Sequence, residues 1–371
     1  MQTRYGVAME RGVMLAAKEI NENGGILGKK IEVVVADSKL KPDVASTELR
    51  RLAFDENVDV IIGGFSSGVV IASMDTLAEV EKVWMVACAS PTVTEKVKED
   101  YDIYKYVFRV GSTNSSTFPA DLVAMLDFLN EKGVKVKKVA VIRDEAKWVA
   151  DIMDQLRQIL EVNGYEVVME EVVPPTQEDF STALLEAQSK ADVIMPLIAH
   201  GKAASLVKQW KDNEIKIPLA GLDLHAVNPD YWDATSGKCD LEIYLAPSAS
   251  VPAEINEKMK AFIEAYKKEY GVLPEAYSAY GCYDAVYVYK EAVERAAKAG
   301  EKNPFDTEVL IKYLESINAE NPYPGVRGNI AFTSHHDLVY GDKFIRNYIC
   351  QWQNGKQVTL YPKATGELII Q

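Results

Sequence analysis

The sequence predicts an α/β protein of two similar doubly wound parallel-sheet lobes, joined by a three-segment hinge with a ligand cleft between them. Three observations predict it. At 371 residues and 48% hydrophobic content, the chain is too long for one ordinary core and long enough for two lobes of roughly 150 to 200 residues. Short β-branched runs alternate with amphipathic helical segments over the first two thirds, the pattern of right-handed βαβ units. Polar or Pro/Gly-rich breaks at 111–116, 246–250 and 321–325 are suited to carrying the chain between lobes.

Taken in order, strands are expected at 30–37, 59–65, 84–89 and 106–111, and then at 138–144, 166–173, 192–199 and 219–222. Two sets of four suggest two lobes. Met9, Val13, Ala16 and Ile20 fall on one helical face, as do Ile152, Leu156 and Ile159, so these helices offer apolar stripes to their sheets. After a strand at 243–249 the order changes to three helices, near 253–270, 278–299 and 306–317, a strand at 329–332 and a final hairpin. There 349–353 and 357–361 flank Asn354-Gly355, a dipeptide suited to the positive φ angles of a tight turn. The expected division is 1–112 with 249–323 for the N-terminal lobe and 113–248 with 324–371 for the C-terminal lobe.

Fifty-five acids against 41 bases, a formal charge of −14, repel phosphate backbones and leave no basic stripe, which argues against nucleic acid as a partner. No apolar run approaches the roughly 20 residues that span a bilayer. Cys88, Cys239, Cys282 and Cys350 are scattered with no Cys-x-x-Cys pair, which disfavours a zinc or redox motif and leaves any disulfide unassigned. No nucleophile elbow, phosphate loop or His-Glu-x-x-His stretch is present, so neither an enzyme nor a cofactor is expected. His335-His336-Asp337 reads more simply as a loop than as a metal site.

Open α/β sheets bind ligands beyond the carboxyl ends of their strands. Phe65-Ser66-Ser67-Gly68 follows a predicted strand and opens a helix, where hydroxyls and free N–H groups can hold a carboxylate without Lys or Arg. Ala89-Ser90 ends the next strand in the same way, followed by Pro91. Helix capping by the same serines is the plainer alternative. Gly221-Leu222-Asp223 ends a strand in the second half, where Asp223 is either a cation partner or a helix cap.

The run from Glu19 to Asp37, with Asn-Gly-Gly-Ile-Leu-Gly-Lys-Lys at its centre, resembles the leucine/isoleucine/valine-binding branch of the type I periplasmic binding proteins. Tyr5-Gly6, Phe-Arg-Val at 108–110, Tyr-Gly-Cys-Tyr-Asp-Ala-Val-Tyr at 280–287 and the late Asn-Gly-Lys extend the likeness along nearly the whole chain. The resemblance implies an extracytoplasmic solute-binding protein of an ABC importer, monomeric, periplasmic or extracellular, lipid-anchored if its precursor carries such a signal, and docking on permease subunits. Its ligand would be an amino acid held by hinge closure. By the same resemblance Ser67 and Ser90 hold the carboxylate and, with the backbone at Cys88 and Ala89, part of the ammonium, and Asp223 the rest of it; Ser66, beside Ser67 where the helix opens, is a further candidate for the ligand. Trp148 and His200 stand where the family closes tyrosines over the ligand, and Tyr5, Phe65 and Tyr280 complete an apolar wall. A first strand and a signal peptide are expected ahead of Tyr5, making Met1 a late start, and without that strand the first sheet would lack a central member. A ligand sensor of the same fold, an amide-sensing regulator or a receptor ectodomain, is the alternative.

Overall fold

The computed structural model describes residues 4–249 and 255–370. Described residues up to Asn114 and from Ile255 to Arg346 form the first lobe, and those from Ser115 to 249 and from Asn347 onward the second. The first lobe opens with α1 (Arg4–Glu22) and α2 (Pro42–Arg50), then β1 (Val60–Gly63), α3 (Ser67–Val80), β2 (Val83–Val86), α4 (Thr92–Glu99), α5 (Tyr101–Tyr104) and β3 (Val107–Arg109). The second lobe runs α6 (Phe118–Glu131), β4 (Lys138–Asp144), α7 (Lys147–Val162), β5 (Glu166–Val173), α8 (Ser181–Lys190), β6 (Val193–Ile198), α9 (Ala203–Asp212), β7 (Ala220–Asp223), α10 (Tyr231–Ala234) and β8 (Ile243–Ala246). The chain returns to the first lobe for α11 (Glu257–Tyr270), α12 (Ala276–Lys298), α13 (Thr307–Glu315), β9 (Tyr323–Gly325) and β10 (Gly328–Ile330), and ends in the second with β11 (Tyr348–Gln353) and β12 (Lys356–Tyr361). Ser250 and the start of the helix expected from 253 lie outside the described residues.

In the second lobe the sheet order is β12-β11-β8-β7-β6-β4-β5, parallel from β8 to β5 and antiparallel at β11 and β12. Its first strand, β4, sits between β5 and β6. The connections therefore leave in opposite directions at β4, a topological switch point of the kind that opens a crevice beyond the strand ends. Asn354 and Gly355 take φ of 49° and 79° in the closing hairpin, as the tight turn requires.

The first lobe carries a parallel sheet of only three strands, β1-β2-β3, and a separate antiparallel ribbon of β9 and β10. Of the α1 face expected from the sequence, Ala16 and Ile20 are buried and Met9 and Val13 half-buried, with Ala8 and Leu15 buried beside them, and a Cβ placed on Gly12 would lie 2.3 Å from the Ala279 carbonyl oxygen, so α1 and α12 pack backbone to backbone. Asn256 and Asp306 cap α11 and α13 through their side chains.

Two expectations are corrected. The 30–37 segment is not a strand. Ile31 is tied by both its N–H and its C=O to the Asn21 side chain (2.7 and 2.8 Å), but the backbone of 32–36 finds no hydrogen bond among the described residues. A β-branched run becomes a strand only beside a neighbour that takes its ladder bonds, and here none adjoins it. The stretch 324–346, assigned to the second lobe, belongs to the first. It is anchored there by Arg327, which donates to Asp284 (3.0 Å) and to the carbonyls of Gly111 and Val110 (3.1 and 2.6 Å), all buried. The third crossing thus falls at 346/347 and not at 321–325.

Candidate functional site

In the first lobe, β1 and β2 end side by side and the turns after them gather the predicted residues. α3 begins at Ser67, and the N–H groups of Ser67, Gly68 and Val69 have no backbone acceptor, leaving the positive end of the helix open. Ser66, the N-cap, is half-buried and its hydroxyl makes no capping bond. Phe65 stacks on Tyr5 with ring centroids 4.0 Å apart and planes within 7°, and Tyr277 leans on both at 6.4 and 6.5 Å. Such ring pairs add about 0.5–1.5 kcal/mol beyond their burial.

Ser67 and Ser90, expected to grip a carboxylate, lie beneath this surface. The Ser67 hydroxyl accepts the Ser90 N–H (3.2 Å), and the Ser90 hydroxyl accepts the Thr92 N–H (3.3 Å). They brace the turn instead of forming its outer face. Cys88 is also turned inward: its thiol is pushed up to about 11 by burial, and its carbonyl accepts from Arg109, which holds the Ser90 carbonyl as well (2.7 Å). Ala89, between the buried Cys88 and Ser90, is half-buried. Tyr280, expected in the apolar wall, is buried and packs on Phe262 with centroids at 5.0 Å. Tyr277, one helical turn earlier, takes the place beside Tyr5 and Phe65.

In the second lobe the site forms at the switch point between β4 and β6. Asp144 ends β4, fully buried, and its Oδ2 accepts the N–H groups of Ala199 and His200 (2.7 and 2.6 Å). Its Oδ1 has no hydrogen-bond donor among the described residues. Gly201 is what lets the next loop pass over this carboxylate, because a Cβ there would lie 2.6 Å from Oδ1. Trp148, in the first turn of α7, is 6% exposed and meets Phe118 edge to face at 6.2 Å, while its indole N–H has no acceptor among the described residues. The His200 imidazole is held below its ordinary pKa by burial, with His225 adding and Asp144 opposing. His225 Nε2 is a further buried nitrogen without a hydrogen-bond partner among the described residues.

Asp223, expected to be a ligand's cation partner, braces its own turn. It is 1% exposed; Oδ1 accepts the His225 N–H (2.7 Å) and Oδ2 the Tyr231 hydroxyl (2.6 Å). Its short side chain folds back onto its own turn. Glu242, also buried, lies against it, and burial followed by the Asp223 charge pushes the Glu242 carboxyl well above the usual carboxylate range. Asp144, His225 and Tyr277 were not singled out from the sequence. Asp144 had a readable signal, an acid ending the apolar run Val139–Ile142 at the carboxyl end of a strand.

The metal reading of His335-His336-Asp337 gains nothing: His336 bonds Val107 and Glu315, Asp337 bonds Arg109, and no cluster of three ligating side chains occurs among the described residues. The four cysteines are buried and unpaired with each other. No helix among the described residues is long and apolar enough to cross a membrane.

Residues 2–355 match a family described as periplasmic binding protein. The chain is 26% identical to Leu/Ile/Val-binding protein homolog 7 of Brucella abortus (strain 2308), over 95% of this chain and 86% of that protein. It is similar in fold to the branched-chain amino acid transporter substrate binding protein LivJ from Streptococcus pneumoniae in complex with isoleucine, with a TM-score of 0.78, 24% identity and coverage of 97% and 96%. An ABC transporter solute binding protein from Rhodopseudomonas palustris BisB5, in complex with 3,4-dihydroxy benzoic acid, also has a TM-score of 0.78, with 22% identity and coverage of 99% and 94%.

Proposed function

The chain belongs to the periplasmic binding protein family, and from that premise we propose that it is the extracytoplasmic solute-binding protein of an ABC importer, with an amino acid as ligand. The observation that carries this reading is the open N-terminus of α3 beside the Tyr5–Phe65–Tyr277 wall: a place for a carboxylate next to a place for an apolar group. The Ser66 hydroxyl and the first-turn N–H groups of α3 hold the carboxylate. The backbone of Ala89 takes part of the ammonium, and Ser67 and Ser90 fix the turn. The second lobe contributes Trp148, His200 and the free Oδ1 of Asp144. A ligand engaging both half-sites stabilises the closed arrangement by its differential affinity, and that arrangement docks on the permease.

One observation favours a second reading, a carboxylic acid without an ammonium group, such as an aromatic acid. The Asp223 carboxylate is committed inside the lobe, and the second half-site offers an indole N–H and His225 Nε2 where a purely aliphatic side chain would leave both unmet.

A thermal-shift screen of the purified chain against the amino acids and small aromatic acids tests both. For the ligand that shifts the melting temperature most, Ser66→Ala should weaken binding roughly ten- to hundredfold, as expected for one hydrogen bond to a charged group of about 1.5–3 kcal/mol. If no compound in either class shifts the protein, the reading fails.

A further inference from the structure

Each lobe fastens the chain segments that leave and enter it. In the second lobe the fastening is Asn347, the first residue after the third crossing and 2% exposed. Its Oδ1 accepts the Ser248 N–H (2.9 Å), and its Nδ2 donates to Asp121 Oδ2 (2.7 Å) and to Thr117 Oγ1 (3.2 Å). Thr117 lies just beyond the first crossing, as the N-cap of α6, and Ser248 follows β8 ahead of the second. One side chain therefore ties together all three segments on which the lobe hangs. An amide suits the place because it accepts and donates at once, where Asp could not donate and an apolar residue could do neither.

Ser248 is the strained member. Its φ of 57° and ψ of 35° are left-handed, a backbone that residues with a Cβ rarely adopt, and it is fully buried. Such a conformation persists only where the surroundings over-determine it, and the bond from its N–H to Asn347 contributes to that. In the first lobe the counterpart is the 325–327 segment. Arg327 donates to the carbonyls of Val110 and Gly111, which precede the first crossing, and the Gly325 and Val326 carbonyls accept from Asn256 Nδ2 (3.4 and 3.2 Å), just after the second. A Cβ on Gly281 would lie 2.5 Å from the Gly111 Cα, so α12 also seats that exit directly.

We propose that Asn347 is the positioning residue of the hinge: it makes Thr117, Ser248 and its own backbone part of the rigid second lobe, and so confines bending in the first crossing to residues 112–116, between the Gly111 and Thr117 fastenings. This rests on closure about a hinge and on no particular ligand. The test is made on the ligand-free chain. Hydrogen exchange of the parent should show the Ser248 amide as slow as those of β8, and Asn347→Ala should speed it about tenfold or more while β4 and β6 keep the parent's protection. In the same variant the distribution of distances between one spin label in each lobe should broaden, an effect that a packing defect inside the second lobe would not produce. Asn347→Asp, which keeps the Oδ1 acceptor and loses both donor bonds, is the second variant: Ser248 should stay slow and the distances should still broaden. A Ser248 amide that exchanges freely in the parent, protection of β4 and β6 lost together with it in Asn347→Ala, or label distances unchanged in both variants would each overturn the proposal. No ligand is added, so this result and that of the thermal-shift screen stand or fall separately.

Discussion

Single buried charges do much of the positioning. Arg109, fully buried, donates to Asp337 (2.8 Å) and to the carbonyls of Cys88 and Ser90, so one side chain sets the turn that flanks the α3 N-terminus. Removing one partner leaves a charge buried and unpaired. Asp337→Ala should lower stability by about 3–5 kcal/mol, and the double change Arg109→Met with Asp337→Leu should recover part of that loss, as read by urea unfolding. Glu242 gives a pH prediction. Burial first and Asp223 second raise its pKa in the folded chain, so the fold holds a proton that the unfolded chain releases above about 4.3. The native state then binds more protons, and stability is fully present below that value and falls as pH rises toward the raised one, by at most about 1.4 kcal/mol per pH unit. Glu242→Gln cannot release a proton there, so its melting temperature should gain on the parent as the pH rises above about 5. None of this was legible in the sequence. Phe-Arg-Val at 108–110 marks a likeness, but that Arg109 is buried follows from His336 and Asp337 folding over β3, more than 200 positions away.

At the scale of elements, periodicity and turn residues were reliable where an element carries its own partners. Helices bond within themselves, and α1, α7, α11 and α13 stand close to where their apolar stripes and caps put them. Helical phase was less readable: Tyr277 and Tyr280 both lie on α12, and only packing against Phe65 and Phe262 decides which one faces the site. The strand expected at 30–37 failed for the converse reason, since a strand's stability lies in its neighbour. The α1–α12 contact is a sharp test of packing at this scale. Gly12→Val should cost at least about 1–3 kcal/mol by chemical denaturation, because the added carbons meet the Ala279 carbonyl and not a side chain that could move aside.

For the whole molecule, the prediction concerns linkage. A ligand present at a hundredfold its Kd should stabilise the chain by about 2.7 kcal/mol, and the distance between one label in each lobe should change on titration with the same midpoint. A stabilisation with no change in label distance would leave binding but remove hinge closure. By itself the sequence determined the fold class, the two sets of βα units, most of the helices and the strand ends at which to look for a site, because these follow from hydrophobic period and turn chemistry, which are local. Only the tertiary structure decided that 324–346 belongs to the first lobe, and that Asp223 faces inward while Asp144 keeps an oxygen unbonded among the described residues. Burial, pairing and register are relations between distant segments, and their energies do not exist until those segments meet.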